Sequence, residues 1–179
     1  MSDVEAGGPV MFMQQVISLD YTIRTAPVSQ EFARKMHEGR ITGHRCPQCA
    51  LVYVPPKGFC PICVVATSDA DEIEVADRGV VTSWTVLTPI QYHGQKERED
   101  YALASILLDG ASGTAGQQRL LDIPLEQIRM GMRVEAVWAP EDTRGKDDSR
   151  GWGFGSSITG FRPSGEPDAG PEVYEKHQL

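Results

Sequence analysis

The sequence lacks several features that would place the protein in a membrane or on nucleic acid. It has no run of about 18 consecutive apolar residues, the length that a membrane-spanning helix needs. Residues 1–10 contain acids and glycines but no basic segment followed by a long apolar core, so they do not predict a signal peptide. Acidic side chains outnumber basic ones by 25 to 17, which gives a net charge of −8. Because nucleic-acid-binding proteins usually present a basic face, this balance argues against a nucleic-acid partner.

The chain also lacks the common sequence signatures of a catalytic site. We find no nucleophile elbow, no phosphate-binding loop of the Gly-Lys-Ser/Thr type and no His-Glu zinc motif. The glycine-rich stretch 110–116 contains no lysine and precedes no helix, so we predict a flexible hairpin loop there. His93, which precedes Glu97 and Glu99, is a candidate general base, but a solvated charged loop is the simpler interpretation. We therefore do not expect the isolated chain to be an enzyme.

Cysteine is confined to one short stretch. Two Cys-x-x-Cys pairs, Cys46/Cys49 and Cys60/Cys63, are separated by ten residues. A tight turn can aim both sulfurs of such a pair at one point, and two turns facing each other complete a tetrahedron. The spacing therefore predicts a four-thiolate metal site with Zn²⁺ as the expected ion, although iron binds the same ligand set. Four protein ligands leave no position for water, so we expect the ion to be structural.

Two other interpretations of the cysteines are weaker. A pair of disulfides would need an oxidising compartment, and a redox-active pair would normally occur once, at the start of a helix. Reduced thiols in a chain without a signal peptide indicate the cytoplasm.

The residue pattern divides the chain into four parts. These are an N-terminal extension with an edge strand (1–28), a helix and zinc ribbon (29–68), a barrel (69–163) and a flexible C-terminal tail (164–179). Apolar residues alternate with polar ones across Ile17–Ile23, which is typical of a half-buried strand. A short helix is predicted over Gln30–Glu38, with Ser29 as its cap. Leu51–Val54 is predicted to be a strand between the two cysteine pairs.

The barrel prediction depends on five strand patterns in the second half of the chain. They are Glu72–Thr88 with a bend at 77–79, Tyr101–Leu108, Gln118–Asp122, Met132–Trp138 and Trp152–Phe161. A helical turn at Pro124–Arg129 separates the third strand from the fourth. This order predicts a mainly β protein with a five-stranded OB-fold barrel, although periodicity alone also allows another small barrel or a sandwich.

Five short motifs follow one another in a recognisable order. They are Glu38-Gly39-Arg40, the cysteine ribbon with Val54-Pro55-Pro56-Lys57, the strand Gly79–Val86, the segment Ile128–Val134, and Gly160-Phe161-Arg162-Pro163. Over residues 29–163 the ordered set resembles the zinc-ribbon/OB-fold family of acyl-CoA-associated proteins, a domain-of-unknown-function family. Two positions depart from its pattern, because Ala50 and Val64 stand where the cysteine turns often have glycine.

The resemblance implies a rubredoxin-like zinc ribbon joined to an OB-fold, and an accessory role. Members of this family partner thiolase-like enzymes, including the lipid-transfer-protein (sterol-carrier-protein-x) type, and others accompany acyltransferases. The implied function is a non-catalytic subunit that stabilises such an enzyme and helps it to hold acyl-CoA. The implied setting is fatty-acid or steroid side-chain degradation.

Three cations near the ribbon, Arg40, Arg45 and Lys57, are candidate contacts for the phosphates of coenzyme A. The alternative is that they are ordinary solubilising surface charges. Two other functions stay open. One is single-stranded nucleic-acid binding through aromatic residues of the barrel, and the other is an enzyme that uses His93.

Overall fold

The computed structural model describes residues 24–89, 98–145 and 154–177, together with the single positions 15, 17 and 19. The described helices are α1 (Pro27–His37), α2 (Phe154–Ser157) and α3 (Pro171–Tyr174). The described strands are β1 (Ile41–Arg45), β2 (Val52–Tyr53), β3 (Glu72–Val75), β4 (Arg78–Leu87), β5 (Tyr101–Leu108), β6 (Ala115–Arg119), β7 (Arg133–Trp138) and β8 (Ile158–Pro163). None of the described helices is long and apolar enough to cross a bilayer.

Some predicted features fall outside these residues. Of the alternating segment Ile17–Ile23, only positions 17 and 19 are described, and neither is in a strand. His93, Glu97 and Trp152 also lie outside the described residues. The hypothesis that His93 is a general base therefore stays a prediction.

The first helix, α1, starts three residues before the predicted position. Pro27 occupies its first turn, where the missing N–H of proline has no helical partner to lose. Ser29, expected to cap the helix, instead lies inside that first turn. Phe32 and Met36 lie one turn apart on the same face and are fully buried. The helix ends at His37, and Gly39 two residues later has a φ of 80°, a left-handed conformation that cannot continue the helix.

A strand that the sequence pattern did not predict, β1, is the centre of a three-stranded antiparallel sheet in the order β2-β1-β3. Gly43 of β1 has to be glycine, because a Cβ there would lie 2.8 Å from both the Tyr53 carbonyl oxygen and the Val54 side chain. β3, predicted as the beginning of a long barrel strand, pairs with β1 instead. The bend predicted at residues 77–79 thus separates two strands that belong to different sheets.

The second sheet has five antiparallel strands in the order β6-β5-β4-β7-β8. It closes because Leu120, just after β6, forms a parallel bridge with Phe161 of β8, and the Leu121 N–H donates to the Phe161 carbonyl at 2.8 Å. A register shift between Val81 and Ser83 marks a bulge, which lets β4 bend with the barrel. The prediction of a mainly β chain with an N-terminal helix and a five-stranded barrel is confirmed.

Helix, ribbon and barrel share one hydrophobic core. Phe32 of α1 packs on Phe154 of α2 with ring centroids 5.6 Å apart. Ile41 of the ribbon sheet and Ile106 of the barrel belong to the same buried cluster. Phe154 was predicted to be in a strand, but it lies in a helical turn, and the last strand starts only at Ile158.

The loop between β5 and β6 is not the free hairpin that its glycines suggested. The Ser112 N–H donates to the Val52 carbonyl at 2.9 Å, and the Val52 N–H donates to Ser112 Oγ at the same distance. This reciprocal pair ties the barrel loop to the ribbon strand β2. The following strand begins at Ala115 rather than at the predicted Gln118.

The segment after β8 also differs from the predicted flexible tail. The Arg129 guanidinium donates to Asp168 at 2.8 Å, and the Arg133 guanidinium donates to Glu166 at 2.9 Å. The Ala169 N–H donates to the Gly131 carbonyl, also at 2.8 Å. A Pro/Gly-rich composition does not reveal these contacts, because the two arginines lie 39 and 33 residues before their acidic partners.

Candidate metal centre

The four cysteines form a compact cluster. Their sulfur atoms all lie within 4.8 Å of one another, and Cys49 Sγ is 3.7 Å from Cys60 Sγ. Cys46 and Cys60 are buried, whereas Cys49 and Cys63 are half-buried. Sulfurs at about 2.3 Å from a tetrahedral Zn²⁺ would be about 3.8 Å apart, so the number, type and spacing of these donors fit the ion.

The two cysteine turns are built in the same way. In the first turn the Ala50 N–H donates to the Cys46 carbonyl at 2.9 Å, and the Cys46 N–H donates to the Leu51 carbonyl at 2.8 Å. In the second turn the Val64 N–H and the Cys60 N–H make the equivalent bonds at the same distances. Each hairpin therefore returns its second cysteine to the side of the first, as the two-residue spacing predicted.

Backbone N–H groups point at the buried sulfur of each turn. Cys46 Sγ accepts from the N–H groups of Gln48 and Cys49 at 3.4 Å, and Cys60 Sγ accepts from the Cys63 N–H at 3.4 Å. Hydrogen bonds to the charged form favour a thiolate over a thiol. Because thiolates are the form that binds metal, the turns prepare both buried sulfurs as ligands.

The thiols perturb one another strongly. Burial opposes ionisation of Cys60, but the backbone N–H groups of Cys63 and Ile62 and the neighbouring thiols lower its pKa to about 6. Hydrogen bonding to Cys49, together with burial, raises the pKa of Cys63 to about 12. A bound cation stabilises all four thiolates at once, which agrees with a metal-binding role for the cluster.

The two departures from the family pattern have a structural meaning. Ala50 has a φ of 61° and Val64 a φ of 57°, so both occupy the left-handed region that favours glycine. Such a conformation costs a non-glycine residue about 1–2 kcal/mol, and branching at the Cβ of valine makes it less favourable still. The turn geometry therefore persists despite local strain in both hairpins.

The three predicted phosphate-binding cations are not brought to one point. Arg40 donates to Glu74 at 2.9 Å, and Arg45 lies at the other end of β1, about 16 Å away at roughly 3.3 Å per residue. Lys57 is exposed in the turn after β2. Within the described ranges, neither Arg45 nor Lys57 forms an ion pair.

A buried histidine that the sequence reasoning did not single out lies near the cluster. His44 of β1 lines a cavity of about 390 Å³ between α1 and the ribbon, and its Nδ1 lies 3.0 Å from Thr67 Oγ1. A catalytic imidazole is usually oriented by a carboxylate, whereas this contact is to a hydroxyl. Across the described ranges, the structure shows no nucleophile activated by an oriented base.

Comparison with known proteins finds similarity to an OB-fold family and to two curated proteins. Residues 72–139 match the family described as "ChsH2, C-terminal OB-fold domain". A DUF35 domain-containing scaffold protein of Methanocaldococcus jannaschii is 27% identical over 138 residues, which cover 77% of this chain and 95% of that protein. A second DUF35 domain-containing scaffold protein, from Methanothermobacter thermautotrophicus, is 27% identical over 115 residues, covering 64% of this chain and 83% of that protein.

Solved structures show the same fold. A chain of the Ltp2-ChsH2(DUF35) aldolase superposes with a TM-score of 0.57 at 20% identity, covering 80% of this chain and 99% of that chain. A DUF35 family protein of unknown function from Sulfolobus solfataricus gives a TM-score of 0.51 at 19% identity, covering 63% of this chain and 79% of that one. The resemblance predicted from the ordered motifs is confirmed. Residues 72–139 are similar to the C-terminal OB-fold domain of ChsH2, and the chain as a whole is similar to DUF35 domain-containing scaffold proteins.

Proposed function

We propose that this chain is a non-catalytic, metal-binding accessory subunit that stabilises a thiolase-like enzyme acting on acyl-CoA. The observation that carries the proposal is the similarity to a DUF35 scaffold protein over 95% of that protein's length. A scaffold needs a rigid surface rather than a reactive group. The described residues agree with this role, since helix, ribbon and barrel form one hydrophobic core.

The enzyme partner that we infer is of the lipid-transfer-protein type, performing carbon–carbon bond cleavage on an acyl-CoA in fatty-acid or steroid side-chain degradation. The support is a fold shared with nearly the whole of one chain in an aldolase structure. Carbon–carbon chemistry on a thioester needs a nucleophile or a base in a dry pocket. In this proposal those groups belong to the partner.

The proposed metal is a structural Zn²⁺ held by Cys46, Cys49, Cys60 and Cys63. With four protein thiolates, the ion has no open position for water, so it supplies cross-linking of the two hairpins and no Lewis-acid chemistry. The chain's own residues do the rest. The N–H groups of the turns favour thiolates, and the hairpins hold the four sulfurs in position.

We further propose that the chain helps the enzyme to hold acyl-CoA, with Arg45 and Lys57 near the phosphates of the coenzyme. Both side chains are exposed and form no ion pair to the described residues, which supports their availability. Arg40, the third candidate, would first have to leave Glu74. Equilibrium binding of CoA to the complex, compared between wild type and Lys57→Ala, tests this step.

The proposed role can be tested by co-expression with a thiolase-like enzyme from the same organism, chosen first from any that the neighbouring genes encode. We expect the two chains to co-purify in a fixed ratio, and the enzyme to lose solubility or acyl-CoA turnover when this chain is omitted. The isolated chain should not convert acyl-CoA. Turnover by the isolated, metal-loaded chain, or full enzyme activity without it, would contradict the proposal.

Single-stranded nucleic-acid binding is the alternative that the fold allows. Trp84 of the barrel is 40% exposed and is able to stack on a base. A gel-shift assay with a single-stranded oligonucleotide separates the two functions, because nucleic-acid binding through phosphate contacts weakens steeply as salt rises. We expect no shift at physiological salt, in line with the net charge of −8.

A further inference from the structure

The two cysteine turns expose an unusual amount of apolar side chain. Ile62 is 69% exposed and Val64 is 81% exposed, both in the second turn. Phe59, just before that turn, is 49% exposed, and Leu51, at the end of the first turn, is 37% exposed. Because the two turns enclose the same sulfur cluster, these side chains flank one end of the ribbon. We call Leu51, Phe59, Ile62 and Val64 the knuckle face.

Val64 gives this face a second unusual property. Its φ of 57° is strained for a β-branched residue, and no burial of the side chain offsets that strain, because the side chain is 81% exposed. Glycine at this position would remove the strain and the exposed apolar surface together. Backbone strain that the surrounding structure holds in place is common at active sites and ligand-binding sites. The free chain therefore gives no stability reason for a valine here.

The charges around the knuckle face differ from those of the rest of the chain. Residues 39–68 contain no aspartate or glutamate, although the whole chain has 25 acidic residues. Arg45 and Lys57 are exposed in this stretch. Arg45 directly precedes the first cysteine turn and Lys57 lies three residues before Cys60, so we call these two cations the rim of the knuckle face. The surface complementary to it is apolar with anionic groups at its edge.

Resting on the proposed function, we propose that the knuckle face is where this chain docks onto an apolar, acid-rimmed surface of its enzyme subunit. A second copy of this chain fits less well, because it would place a cationic rim against another cationic rim. Burial in the complex gives Val64 and Ile62 the contacts that they lack in the free chain. Small clusters of buried apolar anchors surrounded by a polar rim are the usual core of a stable interface.

The test compares two substitutions that relieve the same strain. Val64→Gly removes an apolar side chain of the knuckle face, whereas Ala50→Gly removes one methyl group from the equivalent position of the other turn. We expect each to raise the melting temperature by about 2–4 °C. We expect Val64→Gly to weaken binding of the enzyme subunit at least tenfold and Ala50→Gly to leave it unchanged. A loss of affinity in a more stable variant cannot be explained by unfolding.

Two further variants extend the test. Ile62→Ser should weaken binding at least tenfold, whereas Met130→Ser, at a position 43% exposed outside the ribbon, should not. Affinities are measured by titration calorimetry on metal-loaded protein, with the co-purified enzyme subunit as the probe. Lys57→Ala should slow association and reduce its salt dependence.

The outcomes separate this inference from the proposed function. If wild type binds the enzyme and both Val64→Gly and Ile62→Ser bind equally well, the knuckle face is not the docking site and the proposed function stands. If wild type binds no enzyme subunit, both proposals fail. Concentration-dependent dimerisation of the wild type that Val64→Gly abolishes would assign the face to a second copy and overturn this inference. Because Arg45 and Lys57 are also proposed to lie near the phosphates of coenzyme A, the edge of the partner surface would hold both carboxylates and the bound coenzyme. A complex that forms only with added CoA would show that phosphates alone supply this anionic edge, and would overturn an acid-rimmed docking surface.

Discussion

At the residue scale, the cysteines and the left-handed residue of each cysteine turn, Ala50 and Val64, were both visible in the sequence, but for different reasons. The cysteine spacing has a direct geometric meaning, so the cluster at Cys46, Cys49, Cys60 and Cys63 was predictable. Ala50 and Val64 stand where related cysteine turns often have glycine, and a glycine position predicts a left-handed backbone. The exposure of the Val64 side chain could not be predicted in this way, because it depends on the three-dimensional structure.

Replacing one buried ligand tests the metal site directly. Cys60→Ser removes a sulfur that is fully buried, and we expect zinc affinity to fall by more than the roughly 10–100-fold seen when a ligand's hydrogen-bond partner is lost. Elemental analysis of dialysed protein gives the metal content. Gln48→Ala, in the same turn but with no sulfur to offer, is the matched control and should retain a full complement of metal. Full metal content in Cys60→Ser would contradict a four-thiolate site.

Arg133 offers a second test at this scale. Its guanidinium donates two hydrogen bonds to Asp109 at 2.7 and 2.6 Å, and these bonds, together with Glu166, raise its pKa although partial burial opposes ionisation. We expect Arg133→Ala to lower the free energy of unfolding by about 2 kcal/mol, because charged hydrogen bonds are lost. Arg162, whose side chain is 50% exposed in its pair with Glu135, is the control.

Arg162→Ala should change the free energy of unfolding by less than about 1 kcal/mol, since exposed ion pairs contribute little. Urea denaturation curves of the two variants give the comparison. Equal effects of the two substitutions would show that the contacts of Arg133 are no stronger than an ordinary surface pair.

At the scale of elements, long and strongly patterned segments were predicted well. Tyr101–Leu108 is a strand with the predicted limits, and the helical turn at Pro124–Arg129 is present as Leu125–Gln127. β1 was missed because four of its five residues are buried, which removes the alternation on which strand prediction depends. The final strand was predicted to start too early, because an apolar residue such as Phe154 fits the pattern of a strand as well as that of a helical turn.

The hydrogen bonds between Ser112 and Val52 give a prediction at this scale. Ser112→Ala leaves the N–H of a buried residue without its partner, so we expect a loss of about 1 kcal/mol in stability. Amide hydrogen exchange at Val52 should become faster. Thr114→Ala, in the same loop at a side chain without a hydrogen bond to any described residue, should leave that exchange unchanged. Unchanged exchange in Ser112→Ala would mean that the loop does not hold the ribbon strand.

At the scale of the whole molecule, the ribbon and the barrel share one hydrophobic core. The sequence pattern separates them at residue 69, and that boundary remains a prediction. β3 pairs with the ribbon, and the core runs from α1 through the ribbon into the barrel. A pattern of separate motifs does not reveal a shared core, since it depends on which apolar faces meet in three dimensions.

Metal removal tests this continuity. A strong chelator should make residues 40–65 sensitive to protease, because metal binding and folding of such ribbons are coupled. The barrel should lose stability at the same time, so that thermal unfolding followed by tryptophan fluorescence shows one transition at a lower temperature. Restored zinc should reverse both effects. Two separate transitions, or an unchanged barrel transition, would show that the ribbon unfolds alone.

The ring contact between Phe32 and Phe154 has a practical consequence for engineering. Grafting α1 and the cysteine ribbon onto a foreign barrel would transfer Phe32 without Phe154. The graft would then have a cavity beneath α1. The recipient therefore needs a matching aromatic residue at the position of Phe154, because α1 and α2 pack as one unit.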